Sequence, residues 1–363
     1  MAEALRLAAR GLWGTDPNPR VGCVIARETD HGAEIVGRGW HERAGGPHAE
    51  VVALRDAGDR ARGASAWVTL EPCSHHGRTP PCAQALITAG ITRVVCAVRD
   101  PHPAVDGGGI DALRQAGIEV VVGLMEAQAR ALNPGFFSRI ERARPWVRAK
   151  LAGSLDGRAV GPDGRSQWIT GQAARRDGHR FRARAGAILT GIGTVLADDP
   201  SMTVRVEGAW RQPVIVVVDA NARLPASARL LATGAQVWQV TATDAPSSPP
   251  GVERIEIDRV ADGGRLDLDA LLAELARREI NELHVEAGPT LTGALLAAGR
   301  VDELLLYQAP SLIGADGAAL LCLPGVETLR QRLHLELIEQ RRIGPDQRLR
   351  LRPGANSLKP LLD

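Results

Sequence analysis

Short apolar, β-rich runs alternate with helical patterns along the first 125 residues. VGCVIAR (21–27), AWVTLE (66–71), RVVCAV (93–98) and IEVVVG (118–123) read as strands. Between them, HAEVVALRDAG and CAQALITAG read as helices, each stopped by a Gly. That alternation predicts an α/β layer fold with a buried sheet. One long helix is predicted from about Met125 to Arg144, and Pro145 then breaks the pattern. The domain boundary is placed there, giving domains 1–145 and 146–363.

A second α/β series follows. WVRAKLAGSLDG, GAILTGI, PVIVVVDA, AQVWQVTA, ELHVEAG and ELLLYQAP are its strand candidates. TDAPSSPPGVE (243–253) is a predicted surface loop. The tail after about Arg352 is expected to be loosely held. The two halves share no internal repeat.

Composition narrows the function. The 363 residues are 44% apolar, which supports real cores in two domains of ordinary size. A net charge of +2 implies no polyanionic partner, and 3% aromatics argue against a groove that stacks nucleic-acid bases. The N-terminal MAEALRLAARGLWG has polar breaks every few residues and reads as an amphipathic helix, not a signal peptide. No apolar run is long enough to span a membrane. A cytoplasmic location is therefore expected, with no nucleic-acid and no membrane partner. A homo-oligomer is expected.

Five cysteines stand at 23, 73, 82, 96 and 322, and in that compartment a disulfide framework is not expected. The chain has 42 Arg but only two Lys, Lys150 and Lys359. Arg replaces Lys cheaply on solvated surfaces, so a Lys kept as Lys marks a place where an ammonium is needed. The plain alternative for Lys150 is a surface residue left by chance.

PHAEV places His48 and Glu50 at a helix start, EPC places Cys73 at a strand end, and PPC places Cys82 at the next helix start. One His and two Cys suit a catalytic zinc with a fourth position for water. Glu50 is the candidate proton carrier, a carboxylate beside the metal but not bound to it. Residues two apart do not share a helix face, so both can address one metal only near the helix terminus. Three plain alternatives stand beside this reading: a Cys73–Cys82 disulfide, a structural zinc closed by His75 or His76, and an ordinary helix start with two buried thiols. The eight residues between the cysteines depart from the usual C-x-x-C of zinc deaminases.

In the second half, LTGIGTVLADDP (189–200) and VEAGPTLTGALL (285–296) place small residues at helix starts, where backbone N–H groups suit a pyrophosphate. Neither is a G-x-G-x-x-G fingerprint, so a standard dinucleotide fold is not predicted.

NPRVGCVI, GRGWHERAGGPHAEVVAL, VTLEPCSHHGRTPPC and RDPHP closely resemble the deaminase half of the RibD family of bifunctional riboflavin-biosynthesis enzymes. KLAGSLDGRAV, SQWIT, LTGIGTVLADDPSMTVR and VEAGPTLTGALL are similar to its reductase half. The resemblance runs from about Ala4 to Leu351, and the HHGRTPPC spacing is typical of the family. It implies an N-terminal cytidine deaminase-like three-layer α/β/α domain, then a dihydrofolate-reductase-like α/β domain. It also implies one Zn2+ per chain and NADPH.

By matched position, His48, Cys73 and Cys82 become the zinc ligands and Glu50 the proton shuttle. Asn18 and His41 lie in family motifs near the substrate, against the plain alternative of a loop cap and a surface His. Ala152, Trp168, Thr194, Asp198, Ala220, Gly288, Pro289, Thr290, Leu291, Thr292, Gly293 and Ala294 are the implied cofactor contacts, Ala220 through its backbone alone. Ser166, Arg182, Met202, Arg205 and Glu286 are the implied substrate contacts. The family's substrate carries a ribose phosphate. Arg78, with His75 or His76, is expected to meet that phosphate in the first domain, the alternative being a solvated loop. In the second, Arg182 and Arg205 are expected to hold it as charge-assisted forks, and Lys150 is expected to polarise the ribose carbonyl or orient its hydroxyls beside Glu286.

The resulting expectation is a bifunctional enzyme. It deaminates 2,5-diamino-6-(5-phosphoribosylamino)pyrimidin-4(3H)-one to 5-amino-6-(5-phosphoribosylamino)uracil, then reduces the ribosyl chain to ribityl. Two rivals remain: a nucleic-acid base deaminase, and a zinc-stabilised nucleotide sensor without activity.

Overall fold

The computed structural model describes residues 1–30, 32–74, 81–164, 166, 168–209, 211–261 and 264–354. The chain divides into two compact units, Met1–Ala143 and Arg144–Asp363.

In the first unit the elements run α1 (Ala2–Ala8), β1 (Gly22–Thr29), β2 (Gly32–Trp40), α2 (Ala49–Ala57), β3 (Ser65–Val68), α3 (Cys82–Thr88), β4 (Arg93–Cys96), α4 (Gly108–Gln115), β5 (Glu119–Val122), α5 (Glu126–Leu132) and α6 (Pro134–Arg142). The sheet order is β2-β1-β3-β4-β5, with β1 antiparallel to both neighbours and the last three strands parallel. One face buries Cys23, Ile25, Val68 and Val94 against Ala53 of α2, Leu86 of α3 and Leu113 of α4. The other carries Leu70, Ala97 and Val98 against Phe136 and Phe137 of α6, and Val24 against Ala4 and Leu7 of α1. Helices on both faces of one sheet make three layers.

Two readings of the sequence change here. The GAEIVGRGW run is a strand, β2, hidden from pattern analysis by its glycines and by an exposed first half. Those glycines have a purpose. A Cβ on Gly39 would stand 2.2 Å from the Ala49 carbonyl oxygen, and one on Gly37 2.3 Å from that of Ala53. Their absence lets α2, which carries His48 and Glu50, lie directly on the sheet. The helix expected from Met125 to Arg144 is two helices, α5 and α6, broken at Asn133. Pro134 disfavours helical backbone at the preceding residue. Asn133 instead brackets Arg20, accepting its N–H at 2.8 Å and donating to its carbonyl at 2.9 Å.

The second unit runs β6 (Trp146–Gly153), β7 (Arg158–Val160), α7 (Gln172–Arg184), β8 (Ala187–Gly191), α8 (Ile192–Asp198), β9 (Val214–Val218), β10 (Val237–Thr241), β11 (Glu253–Glu256), α9 (Leu268–Arg277), β12 (Glu282–Val285), α10 (Pro289–Ala297), β13 (Glu303–Gln308), β14 (Ala318–Ala319), β15 (Leu335–Ile343) and β16 (Asp346–Pro353). Its main sheet has the order β11-β10-β9-β8-β12-β6-β13-β16-β15. The strands from β11 to β13 are parallel, and β16 and β15 join antiparallel. Leu271 and Leu275 of α9 and Leu295 of α10 cover one face over Val147, Leu189 and Leu283. Phe181 of α7 and Ile192 of α8 cover the other. The β15–β16 hairpin escapes the sequence reading because β15 is mostly exposed and charged, with no apolar run to mark it.

A buried charge network ties this sheet together. Arg148, 1% exposed, donates to Glu282 at 3.0 Å and to Glu303 at 3.2 Å. Arg184 closes on Glu282, and Arg350 on Glu303 and Glu339. Arg348 bonds Glu339 and Asp177, and Tyr307 donates its hydroxyl to Asp177 at 2.7 Å. Burial pushes the Glu303 carboxyl up, but Arg148 and Arg350 outweigh it and hold it down at about 2. Among the described residues no helix is long and apolar enough to cross a membrane.

Candidate active sites

His48 is the N-cap of α2, with extended backbone, so its imidazole leaves the helix sideways while Glu50 sits in the first turn. That resolves the two-apart geometry: the pair straddles the helix terminus. Cys82 opens α3, and Cys73 lies in the loop after β3, past the strand end where the sequence placed it. The ligand atoms of His48, Cys73 and Cys82 all lie within 4.8 Å of one another. His48 Nδ1 is 3.1 Å from Cys82 Sγ and 3.7 Å from Cys73 Sγ, and the Cys82 N–H donates to Cys73 Sγ at 3.3 Å.

Both cysteines are free thiols, so the disulfide alternative falls. Contact with Cys82, and then with His48, holds the Cys73 thiol low despite burial. The same Cys73 contact and burial push Cys82 up. Two sulfurs and one imidazole nitrogen converging on a point fit zinc, which favours this donor set and count. Cys23 and Cys96 are ordinary core thiols, pushed up by burial.

Glu50 is buried beside this triangle, and burial pushes its carboxyl up to about 7, against its own helix N–H and His48. His41 stands next to His48, and Asn18 next to His41. His41 is buried, not on the surface. Its Nδ1 lies 3.0 Å from the Pro47 carbonyl and its Nε2 3.2 Å from Asn18 Nδ2, so the neutral ring donates to Pro47 and accepts from Asn18. Burial lowers its basicity, consistent with that neutral form. The His41 and His48 rings meet edge to face at 5.5 Å. Arg78, His75 and His76 lie outside the described residues.

Glu71, directly before Pro72-Cys73, was not singled out by the sequence. It is buried, and its carboxylate gathers four backbone N–H groups: Asp100 and Gly107 at 3.2 Å, Gly109 at 3.0 Å and Ile110 at 3.2 Å. It thereby fastens the RDPHP loop and the start of α4 to the loop that bears Cys73. Glu71→Ala should lower zinc affinity about 10–100-fold, the usual effect of losing a group that orients a ligand. Competition with a chromophoric chelator measures it, and native affinity in the variant would refute it.

In the second unit Arg182 meets Glu286 just past the C-terminal end of β12, where Lys150 of β6 also acts on that carboxylate. Arg182 closes a two-pronged fork on Glu286, Nε to Oε1 at 2.5 Å and Nη2 to Oε2 at 2.8 Å, and its Nη1 donates to the Thr203 carbonyl at 2.8 Å. The fork expected to meet phosphate holds Glu286 in this structure. Burial pushes the Glu286 carboxyl up, but Arg182, with His284 and Lys150, holds it well below the usual carboxylate range. Lys150 is half-buried on β6, and its basicity is lowered by burial and by Arg182, against Glu286. It is no surface remnant. Met202 is buried with left-handed backbone, φ 50°, in the segment anchored by Arg182 at Thr203 and by Gln212 on both sides of Val204. Arg205 is exposed and reaches His179.

The implied cofactor contacts form a second group. Thr194 Oγ1 accepts the Gly288 N–H at 3.1 Å, joining α8 to the start of α10, whose first turns are Pro289, Thr290, Leu291, Thr292, Gly293 and Ala294. Asp198, at the end of α8, accepts from Ser166 Oγ at 2.8 Å. A Cβ on Gly193 would meet nothing within 4 Å, and one on Gly288 only Thr194 Oγ1 at 3.8 Å. Glycines that neither packing nor φ requires keep room for close approach, which fits a dinucleotide pyrophosphate. Trp168 is 66% exposed, under the Arg175 guanidinium at 4.4 Å. Ala152 lies on β6 opposite Tyr307. Ala220 follows β9, its carbonyl accepting from the Ala242 N–H at 3.2 Å.

Comparison with known proteins agrees with this geometry. Residues 1–98 match the cytidine and deoxycytidylate deaminase zinc-binding region, and residues 145–349 match the RibD C-terminal domain. The chain is 48% identical to the riboflavin biosynthesis protein RibD of Escherichia coli (strain K12), over 97% of this chain and 98% of that one. It is 40% identical to that of Aquifex aeolicus, over 95% of each. Among solved structures, Acinetobacter baumannii RibD superposes with a TM-score of 0.89 at 42% identity, covering 97% of both chains. A Thermotoga maritima diaminohydroxyphosphoribosylaminopyrimidine deaminase/5-amino-6-(5-phosphoribosylamino)uracil reductase gives 0.87 at 32% identity, covering 98% of this chain and 97% of that one. With a zinc-type triangle in one unit and a Lys150–Glu286–Arg182 cluster in the other, the chain belongs to the RibD family of bifunctional deaminase–reductases.

Proposed function

We propose that the first unit converts 2,5-diamino-6-(5-phosphoribosylamino)pyrimidin-4(3H)-one and water to 5-amino-6-(5-phosphoribosylamino)uracil and ammonia. The second unit then reduces the ribosyl chain of that uracil to ribityl. The observation that carries this reading is the His48–Cys73–Cys82 triangle with a buried carboxylate, Glu50, at its side. It is supported by the similarity to proteins of that activity over nearly the whole chain.

His48, Cys73 and Cys82 would hold zinc, which supplies a water of near-neutral pKa. Glu50, buried beside that triangle, would accept a proton as the nucleophile adds to the ring carbon. It returns a proton to the ring amine, whose C–N bond then breaks. His41, neutral and clamped between Pro47 and Asn18, orients the substrate.

In the second unit, Thr194 and the turn from Gly288 to Ala294 would hold NADPH, which supplies a hydride. Lys150 meets the developing negative charge on the ribosyl oxygen, and Glu286, locked by Arg182, keeps the ammonium in place. Arg205 takes the phosphate.

Purified protein given the diaminopyrimidine phosphate should release ammonia and then oxidise NADPH. Chelation of zinc should stop the first and spare the second when the uracil is supplied. Ammonia without NADPH oxidation would overturn the reading of the second unit. Lys150→Met should lower reductase turnover by roughly 10²-fold, the scale of removing one stabilising group from a developing oxyanion. Native turnover in that variant would refute the role given to Lys150.

A further inference from the structure

Arg205 differs from Arg182 in what holds it. Arg182 is neutralised by a carboxylate that takes two of its nitrogens. Arg205 has no bonded carboxylate among the described residues. Its Nε and Nη2 both point at one acceptor, His179 Nε2, at 3.3 and 3.1 Å. His179 is buried on α7, three residues before Arg182 and so on the same side of the helix.

An imidazole between two guanidiniums can accept from one of them only as the neutral ring, with its proton on Nδ1. Burial, and then Arg182 and Arg205, keep it so, pushing its basicity down to about 4. The choice of clamp has a consequence. A carboxylate here would fix Arg205 equally well but cancel its charge. A neutral acceptor fixes one edge of the guanidinium and leaves the charge, with the Nη1 edge, for an anion.

We propose that His179 is a positioning residue for substrate phosphate, acting through Arg205. This rests on the reading of Arg205 as the phosphate contact. His179 holds an exposed, rotamer-rich side chain in its binding geometry before the substrate arrives.

The test is reductase kinetics on the intact chain with 5-amino-6-(5-phosphoribosylamino)uracil and NADPH. His179→Ala should raise KM for the uracil about tenfold, the scale of one charge-assisted hydrogen bond. The KM for NADPH and kcat should move less than about twofold, since neither involves the phosphate grip. His179→Gln, whose Oε1 can accept from the same guanidinium edge, should recover most of the loss. The double variant His179→Ala/Arg205→Ala should be no worse than Arg205→Ala, because both act through one contact.

Arg205→Ala without a rise in KM would overturn the reading of Arg205 and this inference with it. Arg205→Ala raising KM while His179→Ala leaves it native would overturn this inference alone. So would failure of His179→Gln to recover the KM, or parallel losses in kcat and NADPH affinity in His179→Ala.

Discussion

Replacing Glu50 by glutamine should cut ammonia release by roughly 10²–10⁴-fold, the range for loss of a positioned general acid–base. Zinc should stay at one per chain, because the triangle of His48, Cys73 and Cys82 does not include this carboxylate. Glutamine keeps the shape and fills the same buried site, so lost packing does not account for the effect. What it removes is the ability to accept a proton and hand it on. NADPH oxidation with the uracil supplied should be native. The measurement is ammonia release alongside metal analysis. Retained ammonia release would sink the proton-carrier role, and loss of zinc would make Glu50 a ligand instead.

Arg148→Met should destabilise the second unit by about 3–5 kcal/mol, the cost of removing one partner from a buried ion pair. Methionine fills much of the volume, but Glu282 and Glu303 each lose a charged donor inside the sheet. Urea titration read by reductase turnover reports the loss, and ammonia release is the internal control. An unchanged midpoint would show that Arg184 and Arg350 suffice alone. The pH dependence has a defined sign. A depressed carboxylate stabilises the fold above its ordinary value and loses that contribution as pH falls through its folded value. For Glu303 the window runs from 4.5 down to about 2. The gap between native and variant stability should therefore shrink through that range.

Much of this was legible in the chain itself. The α/β alternation, the zinc ligand types and the helix starts at His48, Cys82 and Gly288 are local signals. The misreadings also have local causes. Glycines and exposed polar residues masked β2 and β15, and helix-forming residues on both sides of Asn133-Pro134 masked the break between α5 and α6.

By itself the sequence determined which chemical groups are present and which element carries each, because side-chain identity and periodicity are properties of neighbouring residues. Only the tertiary structure decided which groups meet. Arg182 closes on Glu286 from 104 residues away. Glu71 collects N–H groups as far as 39 residues on. His179, an unremarked helix residue, meets Arg205 from 26 positions before it. Strand register and layer packing set such pairings, and these depend on the whole sheet, so they leave no mark in any local stretch of chain.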